Sequence, residues 1–127
     1  EIDVVLHFQT PCATALACRR PDGLDYAVIP EIPYYIGSIG RVPYFTPGTD
    51  ELSAAVTEAM RANDMVLMAN HGQATAGRDY DQVVQNAEFF ELACQILLIG
   101  GDSVAPMPAE AAAQLRALRT KGARRAC

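Results

Sequence analysis

His7, in VVLHFQTPCATALA, and His71, in MVLMANHGQATAG, are the only two histidines of the chain. Each stands where a short apolar run, the signature of a buried strand, gives way to turn or helix-start residues. Side chains alternate along an extended strand, so His7 and Gln9 project to one face, just ahead of a helix opening at Pro11. If the strand leading to His71 is a neighbour, two imidazoles and an amide oxygen converge there. That is a three-donor set with positions to spare, as a catalytic metal requires. The same place, at a helix N-terminus, also suits an anion. His-x-Gln is by itself a weak pattern, and two unrelated histidines bonded to nearby backbone are the bland alternative.

The elements that must position these residues can be read along the chain. IDVVLHF is a strand, Thr10 an N-cap, Pro11 the first helical residue and CATALACRR the helix, with Arg19 and Arg20 at the negative end of its dipole. PDG, from Pro21 to Gly23, is a turn, and LDYAVI reads as a further strand. From Pro30 to Pro47 the chain is punctuated by prolines and carries Tyr34, Tyr35, Tyr44 and Phe45 without clear periodicity, the character of a functional or interface loop. GTDELSAAVTEAMRAND is an amphipathic helix capped by Thr49, with Asp50 and Glu51 at its positive end. Its apolar stripe is Leu52, Ala55, Val56, Ala59 and Met60. MVLMA is a second buried strand, and NHGQATAG is turn-rich with room for a short strand return. RDYDQVVQNAEFFELACQILLIGG is a long helix ended by Gly100 and Gly101. PAEAAAQLRALRTKG is a last amphipathic helix, followed by the polar tail ARRAC. Alternating strands and helices point to an α/β layering in one domain spanning residues 1–127.

Composition narrows the partners. Of 127 residues half are hydrophobic and a fifth charged, the balance of a globular chain, and the net charge of −5 argues against a nucleic-acid surface. No apolar run reads as a bilayer span, so no membrane partner is expected. The N-terminus, EIDVVLH, starts almost directly inside a strand with no leader, which suggests a fragment. Cys12, Cys18, Cys94 and Cys127 form no CxxC pair, the pattern of reduced thiols in a cytoplasmic protein. Cys12 falls in the first turn of a helix, where the dipole can lower a thiol pKa. Glu88 and Glu91, on the long helix, read as solvent or subunit-contact charges.

VVLHFQTPCATALA, GTDELSAAV and MVLMANHGQATAG, in this order, resemble the class II aldolase and adducin family, and members related to L-fuculose-phosphate aldolase in particular. Family enzymes read His-x-His, then Ser or Thr, Pro, a variable residue, Ala-Thr and Ala. At the end of a later strand they carry Asn-His-Gly or His-His-Gly. His7, Thr10, Pro11, Ala13, Thr14 and His71 match. The resemblance implies an α/β/α fold around a mixed sheet, here lacking its first elements, and a homotetramer with active sites between subunits. It also implies a divalent metal, zinc in most members, that polarises a hydroxy-carbonyl substrate and stabilises the enediolate left by carbon–carbon cleavage. The implied function is a lyase, an aldolase or decarboxylase. Carried over, the metal ligands are His7 and His71, with Gln9 where the family has its middle histidine. An amide oxygen is a harder, weaker donor than imidazole, so zinc is held less tightly, or Mn²⁺ or Mg²⁺ takes its place, or the metal is lost. The family's catalytic carboxylate and phosphate-binding residues lie upstream of the first motif, before Glu1. The family's proton-donating tyrosine, reaching into a neighbouring subunit, aligns best with Tyr34; the alternative for that residue is a plain interface aromatic. A non-enzymatic adducin-like assembly module is the competing reading, favoured by Gln9.

Overall fold

The structure, a computed structural model, describes residues 2–19 and 23–125. Arg20 and most of the expected Pro21–Gly23 turn lie outside the described residues, as does Cys127. The elements in chain order are β1 (Val4–Phe8), α1 (Pro11–Ala17), a π-helical turn (Ile32–Ile36), β2 (Ile39–Val42), α2 (Asp50–Ala62), β3 (Met65–Met68), β4 (Gly72–Gly77), α3 (Tyr80–Gly100), a 3₁₀ turn (Gly101–Ser103) and α4 (Ala109–Arg125). The four strands form one mixed sheet in the order β1-β4-β3-β2. β1 and β3 both run antiparallel to β4, and β2 runs parallel to β3.

Helices cover both faces. On one, Ala13, Leu16 and Ala17 of α1 and Phe90, Ala93, Cys94 and Leu97 of α3 close over Met65 and Leu67 of β3, joined by Ile32 and Ile36. On the other, Val42, Val66, Met68 and Ala74 meet Leu52, Ala55, Val56, Ala59 and Met60 of α2, which is the stripe read from the sequence. This is the expected α/β/α arrangement. Residues paired across an antiparallel ladder share a face. His7 pairs with Ala74, so His7 and Val5 lie on the α2 side of the sheet. There β1 reaches beyond the cover of α2, and Val5 is 61% exposed. Leu6 and Phe8 turn the other way, toward α3 and α1.

Several expectations need correction. LDYAVI is no strand: the Asp25 carboxylate accepts the Ala27 N–H (2.9 Å), an Asx turn that outcompetes the extended form and leaves Tyr26 against Phe90, ring centroids 5.2 Å apart. Pro30–Pro47 is not featureless but holds the turn at Ile32–Ile36 and strand β2. GQATAG is more than a short return. It is the central strand β4, buried along its whole length, with α1 and α3 packed on one face and Ala74 in the cluster on the α2 side. α4 continues through the expected tail to Arg125. α3 is, by length and composition, apolar enough to cross a bilayer, contrary to the sequence reading. Its buried residues Val83, Ala87, Phe90 and Leu97 pack on the sheet and account for that character.

Candidate metal-binding site

Strand β1 delivers His7, and the β3–β4 hairpin delivers His71. Met68 pairs with Gly72, so the hairpin loop is Ala69, Asn70 and His71. Asn70 takes φ +55°, a left-handed conformation that asparagine tolerates better than most residues. The loop is pinned where the His71 N–H meets the Met68 carbonyl (3.2 Å) and the Asn70 N–H meets the Ala17 carbonyl (3.0 Å) at the end of α1.

The two imidazoles meet edge to face, ring centroids 5.1 Å apart and planes at 82°. His7 Nδ1 lies 2.9 Å from the Gln73 carbonyl. A carbonyl only accepts, so Nδ1 carries the proton and Nε2 keeps its lone pair for a ligand. His71 Nδ1 is buried with no hydrogen-bond partner among the described residues, an orphaned donor or acceptor beside the first ring. Gln9 reaches the same place: its Nε2 donates to the His71 carbonyl (2.8 Å), which leaves Oε1 as its remaining polar atom. A Cβ on Gly72 would stand 2.7 Å from Gln9 Cγ, 2.8 Å from the Phe8 carbonyl oxygen and 3.3 Å from His7 Cε1. Only glycine lets the two strands close here.

His7, Gln9 and His71 are thus brought together. This set suits a divalent cation, with an imidazole whose tautomer is set by a backbone carbonyl, a second with an orphaned nitrogen, and an amide. It is a sparse set, since no three His, Cys, Asp or Glu side chains gather anywhere among the described residues. Tyr34 is elsewhere. Arg119 bonds both Asp64, just before β3, and the Tyr35 carbonyl, placing the Tyr34–Tyr35 pair at the end of the sheet opposite His71.

Glu91, read from the sequence as a surface or contact charge, has a structural task instead. Its two carboxylate oxygens accept the N–H groups of Cys12 and Ala13, both at 2.8 Å, and so cap α1, whose own N-cap residue Thr10 makes no side-chain cap. Burial works against the charge, but the adjacent Thr10 hydroxyl and these two amides outweigh it, and the carboxyl is held below its ordinary value. The Thr10 contact is a near approach rather than an aligned bond, since Thr10 Oγ1 has no hydrogen-bond partner. The carboxylate also undoes the expectation for Cys12. Burial, then the hydrogen bond and charge of Glu91, push that thiol up rather than down. No local sequence signal could have found Glu91, because its partners lie almost eighty residues away.

The profile of the Class II Aldolase and Adducin N-terminal domain matches residues 1–98. The 3-oxo-tetronate 4-phosphate decarboxylase of Escherichia coli K12 is 31% identical over 103 residues, which are 77% of this chain and 48% of that protein. The rhamnulose-1-phosphate aldolase of Enterococcus faecalis is 36% identical over 58 residues, 46% of this chain and 21% of that protein. Among solved structures, YgbL from Escherichia coli superposes with a TM-score of 0.82 at 27% identity, covering 88% of this chain and 56% of its own. L-fuculose 1-phosphate aldolase does so with a TM-score of 0.80 at 26% identity, covering 94% and 56%. The chain spans about half the length of the decarboxylases it matches. With the mixed sheet, the paired histidines and a profile match over most of its length, the chain belongs to the class II aldolase and adducin family.

Proposed function

We propose that this chain is the metal-holding part of a lyase that breaks a carbon–carbon bond, by aldol cleavage or decarboxylation, in a small phosphorylated hydroxy-carbonyl compound. The observation that carries the reading is the meeting of His7 and His71, 5.1 Å between centroids, on the open face of β1. The names of the relatives, a 3-oxo-tetronate 4-phosphate decarboxylase and a rhamnulose-1-phosphate aldolase, support the substrate class. His7 through Nε2, His71 and the Gln9 oxygen would hold the cation, zinc first and Mn²⁺ or Mg²⁺ as harder alternatives. When bound, the cation would act as a Lewis acid for negative charge on substrate oxygens.

The chain's own residues do the rest. The Gln73 carbonyl holds the His7 proton on Nδ1, and the Gln9 amide ties the His71 loop to β1. Tyr34, 37% exposed and remote from its own subunit's histidines, serves as proton donor in the site of a neighbouring subunit of a homotetramer. A zinc competition titration on the native protein and on His7→Ala and His71→Ala tests the reading. Binding that either substitution abolishes supports it. Equal behaviour of all three proteins would sink it and favour the non-enzymatic, adducin-like assembly module, the reading that the weak donor Gln9 already encourages.

A further inference from the structure

Gln73 is wholly buried at the heart of the sheet, directly behind the candidate site, and nothing in the chemistry described above requires an amide there. Its side chain points away from the histidines, toward α1. The amide is oriented with Nε2 donating to the Phe8 carbonyl (3.2 Å) and Oε1 accepting from the Thr14 N–H (3.3 Å), the longer branch of an N–H that also bonds the Thr10 carbonyl (2.9 Å). The reverse orientation would set its oxygen against another carbonyl oxygen. The backbone carbonyl of the same residue receives His7 Nδ1–H at 2.9 Å. One residue therefore grips β1 at the position next to His7, grips the first turns of α1, and holds the His7 ring itself.

We propose that Gln73 is a positioning residue that sets the tautomer and aim of His7 by locking β4 to β1 and α1 from behind the sheet. The inference rests on the metal reading only for its consequence, not for its geometry. β1 is an edge strand, and His7 is exposed on it, its ring met edge to face by His71. A shift of β1 along or away from β4 would carry Nδ1 out of reach of the Gln73 carbonyl and free the ring to exchange tautomers. A buried amide with both ends bonded resists such a shift, because moving the strand leaves a donor and an acceptor stranded without water. Gln73 thus couples strand position to the imidazole lone pair, and so to any cation that uses it.

The test is long-range proton–nitrogen NMR on metal-free protein labelled at histidine nitrogen, at a pH where the imidazoles are neutral. In the native protein His7 should be dominated by the Nδ1–H form. A majority of Nε2–H at His7 would overturn the proposal before any variant is made. In Gln73→Met, similar in length but unable to bond, His7 should relax to a mixture of tautomers while His71 keeps its native signals, and zinc affinity should fall about tenfold. If that variant does not fold, Gln73→Asn serves, because its shorter amide cannot span from Phe8 to Thr14. A folded variant with a native His7 tautomer and zinc affinity within twofold of native would overturn the proposal. A native protein that shows the Nδ1–H form but binds no zinc would count against the metal centre while supporting the positioning of His7.

Discussion

At the scale of single residues, Gln9 stands where the family resemblance implies a histidine, and the difference can be measured. Gln9 lies on the histidine side of β1, where Gly72 is its close neighbour. Gln9→His puts imidazole in place of an amide oxygen, a better donor for a borderline-soft ion. Zinc affinity should rise by about tenfold, or ~1.4 kcal/mol, in a competition titration that includes His71→Ala as control. Gly72→Ala should act in the opposite direction. Its Cβ meets the Phe8 carbonyl oxygen at 2.8 Å, and that backbone cannot yield without opening the β1–β4 ladder. Overpacking of this kind costs about 1–3 kcal/mol, readable as a lower urea midpoint, and should weaken zinc binding as well. His7 and His71 were legible as a pair from their types and strand exits. Gln73 was not, because a glutamine in a turn-rich stretch carries no sign of its burial.

Elements are joined here by contacts that local sequence does not encode. α1 is only seven residues long and carries no acidic residue in its first turn, so Glu91 of α3 is its cap. Replacing Glu91 by Ala should cost about 1 kcal/mol, the ordinary worth of a helix cap. The sign of the pH effect follows from the depressed carboxyl. The contribution is present above the unfolded carboxyl's 4.5 and is lost as pH falls through the lower folded value. Urea melts of native and Glu91→Ala protein should therefore differ near neutral pH and converge in acid. A gap that persisted unchanged into strong acid would contradict the cap. Phe90, fully buried between Tyr26 and the sheet, tests the core itself, and Phe90→Ala should cost about 3–5 kcal/mol. α2 was readable residue by residue, since its stripe and Thr49 cap obey helical spacing. β4 was not, because glycine and alanine are poor strand formers, and its place between β1 and β3 is a long-range fact.

On the scale of the whole molecule, the sheet puts the paired histidines at one end and the aromatic pair Tyr34–Tyr35 at the other. Tyr35 stacks on Phe89 (5.2 Å), yet it keeps exposed surface, as do Tyr34 and Tyr44. A tetramer that sets one subunit's Tyr34 near the next subunit's His7 reconciles that separation with a proton-donor role. Sedimentation of the intact protein should then give four times the protomer mass. Tyr34→Phe should leave zinc affinity untouched and lower lyase turnover by about a hundredfold, the lower range for losing a general acid. A monomer at micromolar concentration, or full turnover without the hydroxyl, would return Tyr34 to the rank of a surface aromatic.

What sequence alone determined is what short-range chemistry controls. Period-two and helical spacing, the Thr49 cap, the glycine that ends α3 and the strand-then-histidine exits all depend on neighbours a few residues apart. The order of motifs then placed the chain among the class II aldolases and adducins. The tertiary structure alone decided that the His7 and His71 rings meet edge to face, that Gln73 holds the first and Gln9 the loop of the second, and that Glu91 caps α1. These pairs lie more than sixty residues apart. Their meeting depends on strand order and on which face each residue takes. Both are set by the global minimum of buried apolar surface and satisfied backbone, a quantity that no window of the sequence contains.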